Sequence, residues 1–246
     1  MAGHSKWANI RFRKMGQDAK RGKLFTKFIR EITVSAREGG GDISTNPRLR
    51  AVIDKALAAN MTRDTIDRAI KRGTGEQEGQ QLEEIRYEGY GPGGVAVMVD
   101  CLSDNRNRTV SEVRHAFTKH GGNLGTDGSV AYLFQHKGFI TFPNTVDEAM
   151  LFEAAIDVGA DDVTTESDGT FVVQTSFESF YAIQQALEAK QLIPMRSETT
   201  MVPDVMVPME AEQAQKFMKM VDVLEDLDDV QAVHSNADIP DNLLDA

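Results

Sequence analysis

Residues 137–200 read KGFITFPNTVDEAMLFEAAIDVGADDVTTESDGTFVVQTSFESFYAIQQALEAKQLIPMRSETT. Short apolar runs in this stretch alternate with segments in which apolar residues recur every three or four positions. The first pattern is typical of strands and the second of amphipathic helices. The pair Asp168-Gly169 marks a hairpin turn, and Thr145 with Glu148 forms a helix capping box. The predicted elements are strand 138–142, a helix from Thr145 to Gly159, strands 161–166 and 170–175, helix 178–190 and strand 194–200. This βαββαβ order predicts a ferredoxin-like unit.

The flanking sequence contains the parts of a second domain of the same kind. On the amino-terminal side we expect strand 95–102, a helix that begins with the capping box of Thr109 and Glu112 and ends near Gly121, and strand 129–134. On the carboxyl-terminal side we expect strand 202–207, helix 210–226 and strand 230–235. The two halves predict a ferredoxin-like domain into which residues 137–200 are inserted.

The first third of the chain predicts three short helices. Apolar residues follow helical spacing from Lys23 to Glu38, and three glycines after Glu38 end that helix. Asn46 caps a second helix with Pro47 as its first residue, and Thr62 caps a third that ends at Gly73. The polar residues 74–82 suit a linker. The fold class is therefore α+β, with a three-helix N-terminal domain followed by two ferredoxin-like domains.

These boundaries divide the chain into five parts. We expect a basic arm at 1–22, a helical domain at 23–80, a ferredoxin-like domain at 81–136 and 201–240, the inserted domain at 137–200, and a tail at 241–246.

Charge is distributed unevenly along the chain. Residues 1–72 contain 17 Lys and Arg against 7 Asp and Glu, a net charge of +10, whereas residues 73–246 contain 10 against 31, a net charge of −21. A basic end of this kind can approach a polyphosphate, while the acidic remainder resists non-specific condensation onto it. A negative net charge often serves only to keep a protein soluble, but solubility does not explain the net charge of +10 in residues 1–72.

The composition predicts a cytoplasmic protein that does not associate with membranes. The first residues, MAGHSKWANIRFRK, lack the apolar core of a secretory signal, and no apolar run approaches membrane-spanning length. The single cysteine, Cys101, excludes an internal disulfide and fits a reducing compartment. Cys101 ends the apolar run VAVMVDCL, so we expect a buried thiol.

Catalytic motifs are absent from the sequence. It contains no phosphate-binding P-loop and no Gly-x-Ser-x-Gly, and Gly91 to Gly94 precede a strand, which is the wrong context for a dinucleotide fingerprint. The five histidines have no metal-ligand spacing. We therefore expect no enzymatic activity, no cofactor and no metal site.

The N-terminal arm is the first candidate nucleic-acid site. The arm is rich in Lys and Arg, and Trp7 and Phe12 are interleaved with these basic residues. Arg and Lys bind phosphates, and aromatic side chains stack on unpaired bases. The alternative is that the aromatic residues pack on the helices and that the cations are only solvated. The candidate residues are Lys6, Trp7, Arg11, Arg13, Lys14, Lys20, Arg21 and Lys23, continued by Lys27 and Arg30 on the polar face of the first helix.

The loop before residue 109 is the second candidate. It contains Asn105, Arg106, Asn107 and Arg108 next to the free amides of a helix N-terminus, an arrangement that suits phosphate. In the alternative, Asp104 pairs locally with one of the arginines. The glycine-rich residues 121–128 fit a recognition loop and a plain long turn equally well.

Several of these segments together resemble the YebC family, the bacterial relatives of the mitochondrial translational activator of cytochrome c oxidase subunit I. The matching motifs are MAGHSKWANI at 1–10, DAKRGKLFTK at 18–27, NPRLR at 46–50, NMTRDTIDRAIKRG at 60–73, YEGYGPGG at 87–94, LSDNRNRTVSEVRHAF at 102–117 and GGNLGTDGSVAYLF at 121–134. Phe12 and Met15 stand where more basic or small residues are usual, which weakens one phosphate contact at most.

The resemblance implies a three-domain fold and a role in gene expression without catalysis. Members are described as transcriptional regulators that bind DNA, and others resemble ribosome-associated translation factors. Our first hypothesis is a translation factor that contacts ribosomal RNA or tRNA on the ribosome, because the arm mixes aromatic and basic residues. The second is a DNA-binding transcriptional regulator that lays a helix in the major groove. The sequence shows no dimerisation element, so we expect a monomer.

Overall fold

The structure, a computed structural model, describes residues 18–78, 81–240 and 243. These residues form two compact units. The first comprises the described residues up to Leu133 and from Val205 onward, and the second comprises Phe134–Asp204. The predicted fold class is confirmed: N-terminal helices precede two sheet-containing α/β parts.

The N-terminal helices are α1 (Asp18–Gly39), α2 (Pro47–Ala58) and α3 (Arg63–Gly73). Both predicted caps are confirmed, since Asn46 accepts a hydrogen bond from the Leu49 amide and Thr62 accepts one from the Thr65 amide. The three helices and the connection between α2 and α3 share one core of Ile32, Ala36, Leu49, Val52, Ile53, Ala56, Met61, Ile66 and Ala69.

The predicted start of the first helix is wrong. Residues 18–22, assigned to the arm, are helical, so α1 includes them and does not begin at Lys23. The segment Asp-Ala-Lys-Arg-Gly contains no large apolar side chain, and helical periodicity therefore does not extend into it.

The remainder of the first unit is built on a four-stranded antiparallel sheet. Its elements are β1 (Glu83–Tyr90), β2 (Ala96–Ser103), α4 (Arg106–Lys119), β3 (Asn123–Leu124), α7 (Ala211–Asp226) and β9 (Val230–Ser235), with strand order β3-β1-β2-β9. The short strands β8 (Val207–Pro208) and β10 (Ala237–Asp238) pair in parallel. Phe117 of α4 and Phe217 of α7 are fully buried in the core together with Val97 and Val99 of β2. Both helices therefore cover this sheet.

Two predicted strands of this sheet are wrong. Residues 129–133 do not form a strand, and Phe134 begins a strand of the second unit. Of the predicted strand 202–207, residues 202 and 203 end another strand of the second unit, and only Val207 belongs to β8. Strand β1, which the sequence analysis did not assign, pairs with β2 along its whole length instead. A buried carboxylate explains the error: Glu88 interrupts the apolar pattern of β1, and it accepts hydrogen bonds from backbone amides at 128–131 that a strand would use for pairing.

Two predicted helix starts are also wrong. Helix α4 begins at Arg106, capped by Asn105, so Thr109 lies inside its first turn rather than at the cap. In the second unit α5 (Glu148–Asp157) is capped by Asp147, whose side chain accepts a hydrogen bond from the Met150 amide. Asn and Asp are at least as good as Thr at this position, and each lies close to a competing Thr.

The second unit has the order expected of a ferredoxin-like fold. Around α5 it contains β4 (Phe134–Phe142), β5 (Asp162–Thr165), β6 (Phe171–Ser176), α6 (Phe180–Ala189) and β7 (Arg196–Pro203), with antiparallel strand order β5-β6-β4-β7. Its core contains Ile140, Phe142, Leu151, Val173 and Phe180, contributed by strands and helices alike. Among the described residues of both units, no helix has the length and apolar character needed to cross a membrane.

Candidate nucleic-acid interface

The predicted arm lies only partly within the described structure. Lys6, Trp7, Arg11, Arg13 and Lys14 fall outside the described residues, so their assignment stays a prediction. Lys20 and Arg21 belong to the beginning of α1. From Lys23 onward the basic face of α1 can be followed side chain by side chain.

This basic face of α1 contacts the C-terminal end of α7. The Lys23 ammonium donates to the carbonyl of Asp226 at 3.1 Å, and the Lys27 ammonium donates to the carbonyl of Glu225 at 2.8 Å. The last carbonyls of a helix have no partner within the helix, and the helix dipole places partial negative charge on them. Lys23 and Lys27 therefore stabilise the end of α7 in this conformation.

Arg30, one turn further along α1, reaches the turn that follows α7. Its Nη1 donates to the Asp228 carbonyl at 2.7 Å and to the Asp229 carboxylate at 2.6 Å. The same atom lies 3.1 Å from the carbonyl of Leu102 at the end of β2. Arg30 thus joins the helical part of the chain to the sheet.

Asp229 is the centre of a buried polar network. Its carboxylate, 3% exposed, also accepts hydrogen bonds from Ser103 Oγ at 3.0 Å, Thr109 Oγ1 at 2.6 Å and Arg108 Nη2 at 2.8 Å. Burial alone would raise the pKa of Asp229, but the hydrogen bonds from Thr109, Arg108, Arg30 and Ser103 together lower this pKa to about 2. Asp229 is therefore ionised at neutral pH and fixes α1, β2 and α4 relative to one another.

The second predicted site, the loop before α4, is arranged around the same carboxylate. Asn105 caps the helix by accepting a hydrogen bond from the Arg108 amide at 3.0 Å. The Arg108 guanidinium pairs with Asp104 at 2.8 Å as well as with Asp229, and both carboxylates raise its pKa. The alternative in which Asp104 pairs locally with an arginine therefore applies to Arg108. Arg106 and Asn107 are exposed. Within the described chain, Arg106 makes no ion pair.

The structure brings Lys23 and Arg30 of the first candidate site and Arg108 of the second together in one cleft. The cleft has a volume of about 520 Å³, and carboxylates from α4, from the loop before it and from the end of α7 with the turn after it also line it. The lining residues are Lys23, Arg30, Asp104, Arg108, Glu112, Leu227 and the acidic residues Asp226, Asp228 and Asp229. The sequence analysis treated the two sites as separate and missed the carboxylates between them. The acidic run at 225–229 is visible in the sequence, but its contact with α1 is not.

A second buried carboxylate shapes the glycine-rich segment. Glu88 accepts hydrogen bonds from the amides of Gly128 at 2.8 Å, Val130 at 2.8 Å and Ala131 at 2.7 Å. Burial would raise the pKa of Glu88, but the three amides lower it. The segment is therefore fixed to β1 at its carboxyl-terminal end, next to Tyr132, which is 71% exposed. Its role in recognition stays a prediction.

Helix α3 exposes further cations that the sequence analysis did not select. Ile66 and Ala69 of α3 are buried. The cations Arg63, Arg68, Lys71 and Arg72 are exposed, and Asp64 pairs with Arg68 at 2.8 Å. The signal was present in the sequence, because every cation of this helix lies outside its apolar stripe.

The remaining chemistry of the described residues is limited. Cys101 is 2% exposed, which confirms the expected buried thiol, and burial, assisted by Asp100 and Asp229, raises its pKa to about 12. At neutral pH this thiol is protonated. Among residues 18–78 and 81–240, no group of three or more His, Cys, Asp and Glu side chains is arranged to bind a metal ion.

These features define an α+β protein with a basic helical part, two sheet domains and a charged cleft beside α1. Residues 5–76 match the N-terminal domain of TACO1/YebC proteins, and residues 82–237 match the TACO1/YebC second and third domain. The chain belongs to the TACO1/YebC family, and the resemblance found in its sequence motifs is confirmed.

Relatives and a solved structure match nearly the whole chain. A "Probable transcriptional regulatory protein" from Pseudomonas syringae pv. tomato is 62% identical over 244 residues, covering 99% of this chain and 98% of the relative. One of the same name from Coxiella burnetii (strain Dugway 5J108-111) is 60% identical, covering 99% of this chain and 100% of the relative. The crystal structure of the conserved hypothetical protein Aq1575 from Aquifex aeolicus has a TM-score of 0.80 at 51% identity, covering 91% of this chain and 93% of that one.

Proposed function

We propose that this chain is a non-enzymatic, nucleic-acid-binding regulator of gene expression that works in the cytoplasm as a monomer, in contact with RNA on the ribosome. The segregation of charge is the observation that carries this proposal. Residues 1–17 contain four cations, Lys6, Arg11, Arg13 and Lys14, and no Asp or Glu, while residues 73–246 have a net charge of −21. Positive charge collected at one end of an acidic protein gives a local, salt-dependent attraction for phosphates.

The contacts of the described cations divide the proposed interface into two parts. Lys23, Lys27, Arg30 and Arg108 donate to carbonyls or carboxylates of the protein itself. The exposed side chains of Arg106 and Asn107 and the arm residues before Asp18 are therefore proposed to make the first contacts with the nucleic acid. Lys20 and Arg21 would extend this surface along the beginning of α1.

RNA is favoured as the ligand by the aromatic residues among the arm cations. Trp7 and Phe12 alternate with basic residues in the arm. Aromatic rings stack on unpaired bases, and one stacked base contributes about 1–3 kcal/mol to binding. Duplex DNA offers few unstacked bases, whereas ribosomal RNA and tRNA contain many in loops.

A second candidate function is DNA-binding transcriptional regulation, and α3 favours it. Helices α2 and α3 are joined by only four residues, 59–62, and α3 exposes four cations on its polar side. A short helix of this kind can enter the major groove of DNA. The relatives from Pseudomonas syringae and Coxiella burnetii are named probable transcriptional regulatory proteins, which is consistent with this alternative.

Crosslinking in cells distinguishes the two functions. The full chain is crosslinked to nucleic acid by ultraviolet light, purified under denaturing conditions, and the attached RNA and DNA are sequenced. Enrichment of ribosomal RNA or tRNA over total cellular RNA supports the ribosome-associated function. Recovery of discrete promoter DNA without RNA enrichment would overturn it in favour of transcriptional regulation.

A further inference from the structure

We propose that the acidic turn, residues 226–229, is autoinhibitory, because its Asp226 occupies Lys23 of α1 until a phosphate displaces it. This inference rests on the proposed function, since it concerns the regulation of the same basic surface. It begins from the observation that Lys23 and Lys27, which continue the basic arm in sequence, are bound to the end of α7. The groups that bind them, carboxylate and carbonyl oxygens, are the same kind of acceptor as a phosphate oxygen.

The charge lining the cleft disfavours entry of an anion. Five carboxylates, those of Asp104, Glu112, Asp226, Asp228 and Asp229, face only three cations, those of Lys23, Arg30 and Arg108. A phosphate that approaches Lys23 or Arg108 therefore meets a net negative lining. The cations alone do not make this cleft a strong phosphate site, and neutralising one of its carboxylates should improve it.

The two ion pairs that α1 makes in the cleft differ in exposure, and only the exposed pair can exchange its carboxylate for a phosphate. The Arg30–Asp229 pair, 15% and 3% exposed, is buried, and breaking it would leave a charge without a partner. The Lys23–Asp226 pair, 3.2 Å apart, is 44% and 66% exposed, and such surface pairs are weak. Lys23 can therefore leave Asp226 for a phosphate while Arg30 and Asp229 keep the helix in place.

Competition by Asp226 makes binding selective for ligands that contact the basic arm as well as the cleft. A polyanion that contacts only the cleft must displace Asp226, so its net gain in binding free energy is small. A nucleic acid that also contacts the basic arm obtains the additional attraction needed for displacement. The acidic turn thereby lowers non-specific binding without abolishing specific binding.

The test compares Asp226→Asn with Asp222→Asn in the full-length chain. Both substitutions remove one negative charge from exposed positions of α7, but Asp222 lies one turn earlier and does not line the cleft. Binding of a fluorescent single-stranded RNA and of a duplex DNA of equal length is measured by anisotropy. We expect Asp226→Asn to tighten binding about three- to fivefold more than Asp222→Asn does. This factor corresponds to the free energy of the one exposed ion pair that no longer has to be broken.

A double substitution tests the cause. In a Lys23→Gln background the difference between Asp226→Asn and Asp222→Asn should disappear, because the cation released by Asp226 is no longer present. Equal tightening by both aspartate substitutions, or a difference that persists without Lys23, would overturn the autoinhibitory contact and leave the proposed function intact. If the unaltered chain and every variant fail to bind either nucleic acid, the proposed function is overturned and this inference with it.

Discussion

Arg30 and Asp229 are 199 positions apart in the sequence, yet Arg30 Nη1 lies 2.6 Å from Asp229 Oδ1 in a largely buried ion pair. The pair connects α1 to the turn between α7 and β9. Because Asp229 also binds Arg108 and Thr109, the same carboxylate fixes the beginning of α4. Asp229 therefore helps to fix the basic helix against the sheet, together with the contacts that Lys23 and Lys27 make with the end of α7.

Replacing this carboxylate should destabilise the protein. Asp229→Ala leaves the Arg30 and Arg108 guanidinium groups without their buried partner, and the loss of one member of a buried ion pair costs about 3–5 kcal/mol. The free energy of unfolding, measured by urea denaturation, should fall by this amount. Asp228→Ala is the matched control, because the Asp228 side chain is exposed and only its backbone carbonyl contacts Arg30. Equal effects at the two positions would contradict the network.

The same carboxylate predicts a dependence of stability on pH. The pKa of Asp229 in the folded protein is about 2, below that of an exposed Asp. A depressed pKa stabilises the folded state while the group is ionised, so this contribution is complete above about pH 4 and is lost as the pH falls toward 2. It amounts to about 2 kcal/mol. Between pH 5 and 2 the unfolding free energy of Asp229→Asn should therefore fall less steeply than that of the unaltered chain, and parallel curves would contradict the assignment.

Glu88 should control the order of the segment at 128–131. Glu88→Gln leaves one acceptor oxygen where the carboxylate has two, so at least one of the three amide hydrogen bonds is lost, at a cost of about 1–3 kcal/mol. Hydrogen exchange of the amides of Gly128, Val130 and Ala131 should accelerate. Glu83→Gln, an exposed position on the same strand, is the control and should leave exchange unchanged. Unchanged exchange in Glu88→Gln would show that another contact fixes the segment.

Removal of the arm should weaken nucleic-acid binding. Because residues 18–22 are helical, the informative deletion is residues 1–17 rather than 1–22, which would remove part of α1. The deletion removes four cations, and each lost phosphate contact should reduce the salt slope of binding by about 0.7 on single-stranded nucleic acid. The charge-only control is the full-length chain with Lys6→Gln, Arg11→Gln, Arg13→Gln and Lys14→Gln. A slope unaffected by both changes would refute the role of the arm.

Two pairs of exposed residues should separate RNA from DNA binding. The loop variant, Arg106→Gln with Asn107→Ala, alters the second predicted site at the first two residues of α4, and the α3 variant, Lys71→Gln with Arg72→Gln, alters the polar side of α3. If RNA is the ligand, the loop variant should lose more affinity for single-stranded RNA than the α3 variant does. A larger loss on duplex DNA from the α3 variant, with RNA binding unchanged in both, would favour the transcriptional alternative.

Local signals in the sequence were sufficient for the order of the elements in the helical part and in the second unit, but not for the starts of α1 and α5. Asn46 and Thr62 were identified as caps because a cap depends on residues three positions away, and the Asp168-Gly169 turn separates β5 from β6 as expected. The order βαββαβ of the second unit follows from such signals. The order of strands in the sheet could be inferred from this order of elements by analogy with the ferredoxin-like fold.

Features that depend on distant contacts could not be predicted. Strand β1 was missed because Glu88 stands at a buried position, and its burial makes sense only when the amides of residues 128–131 are beside it. Likewise, Lys27 on the polar face of α1 resembled a free phosphate contact, since nothing in the local sequence indicates that the Glu225 carbonyl binds it. Three cations of the candidate cleft, Lys23, Arg30 and Arg108, were therefore predicted singly, but the carboxylates between them and their assembly into one site were not.

The salt dependence of nucleic-acid binding by the purified full-length chain tests the central claim most directly. If positive charge at the amino end meets phosphates, the logarithm of the association constant for single-stranded RNA should fall linearly with the logarithm of salt concentration. Four arm contacts predict a slope of about −3 or steeper. The absence of salt-sensitive binding to ribosomes, RNA and duplex DNA alike would contradict the account.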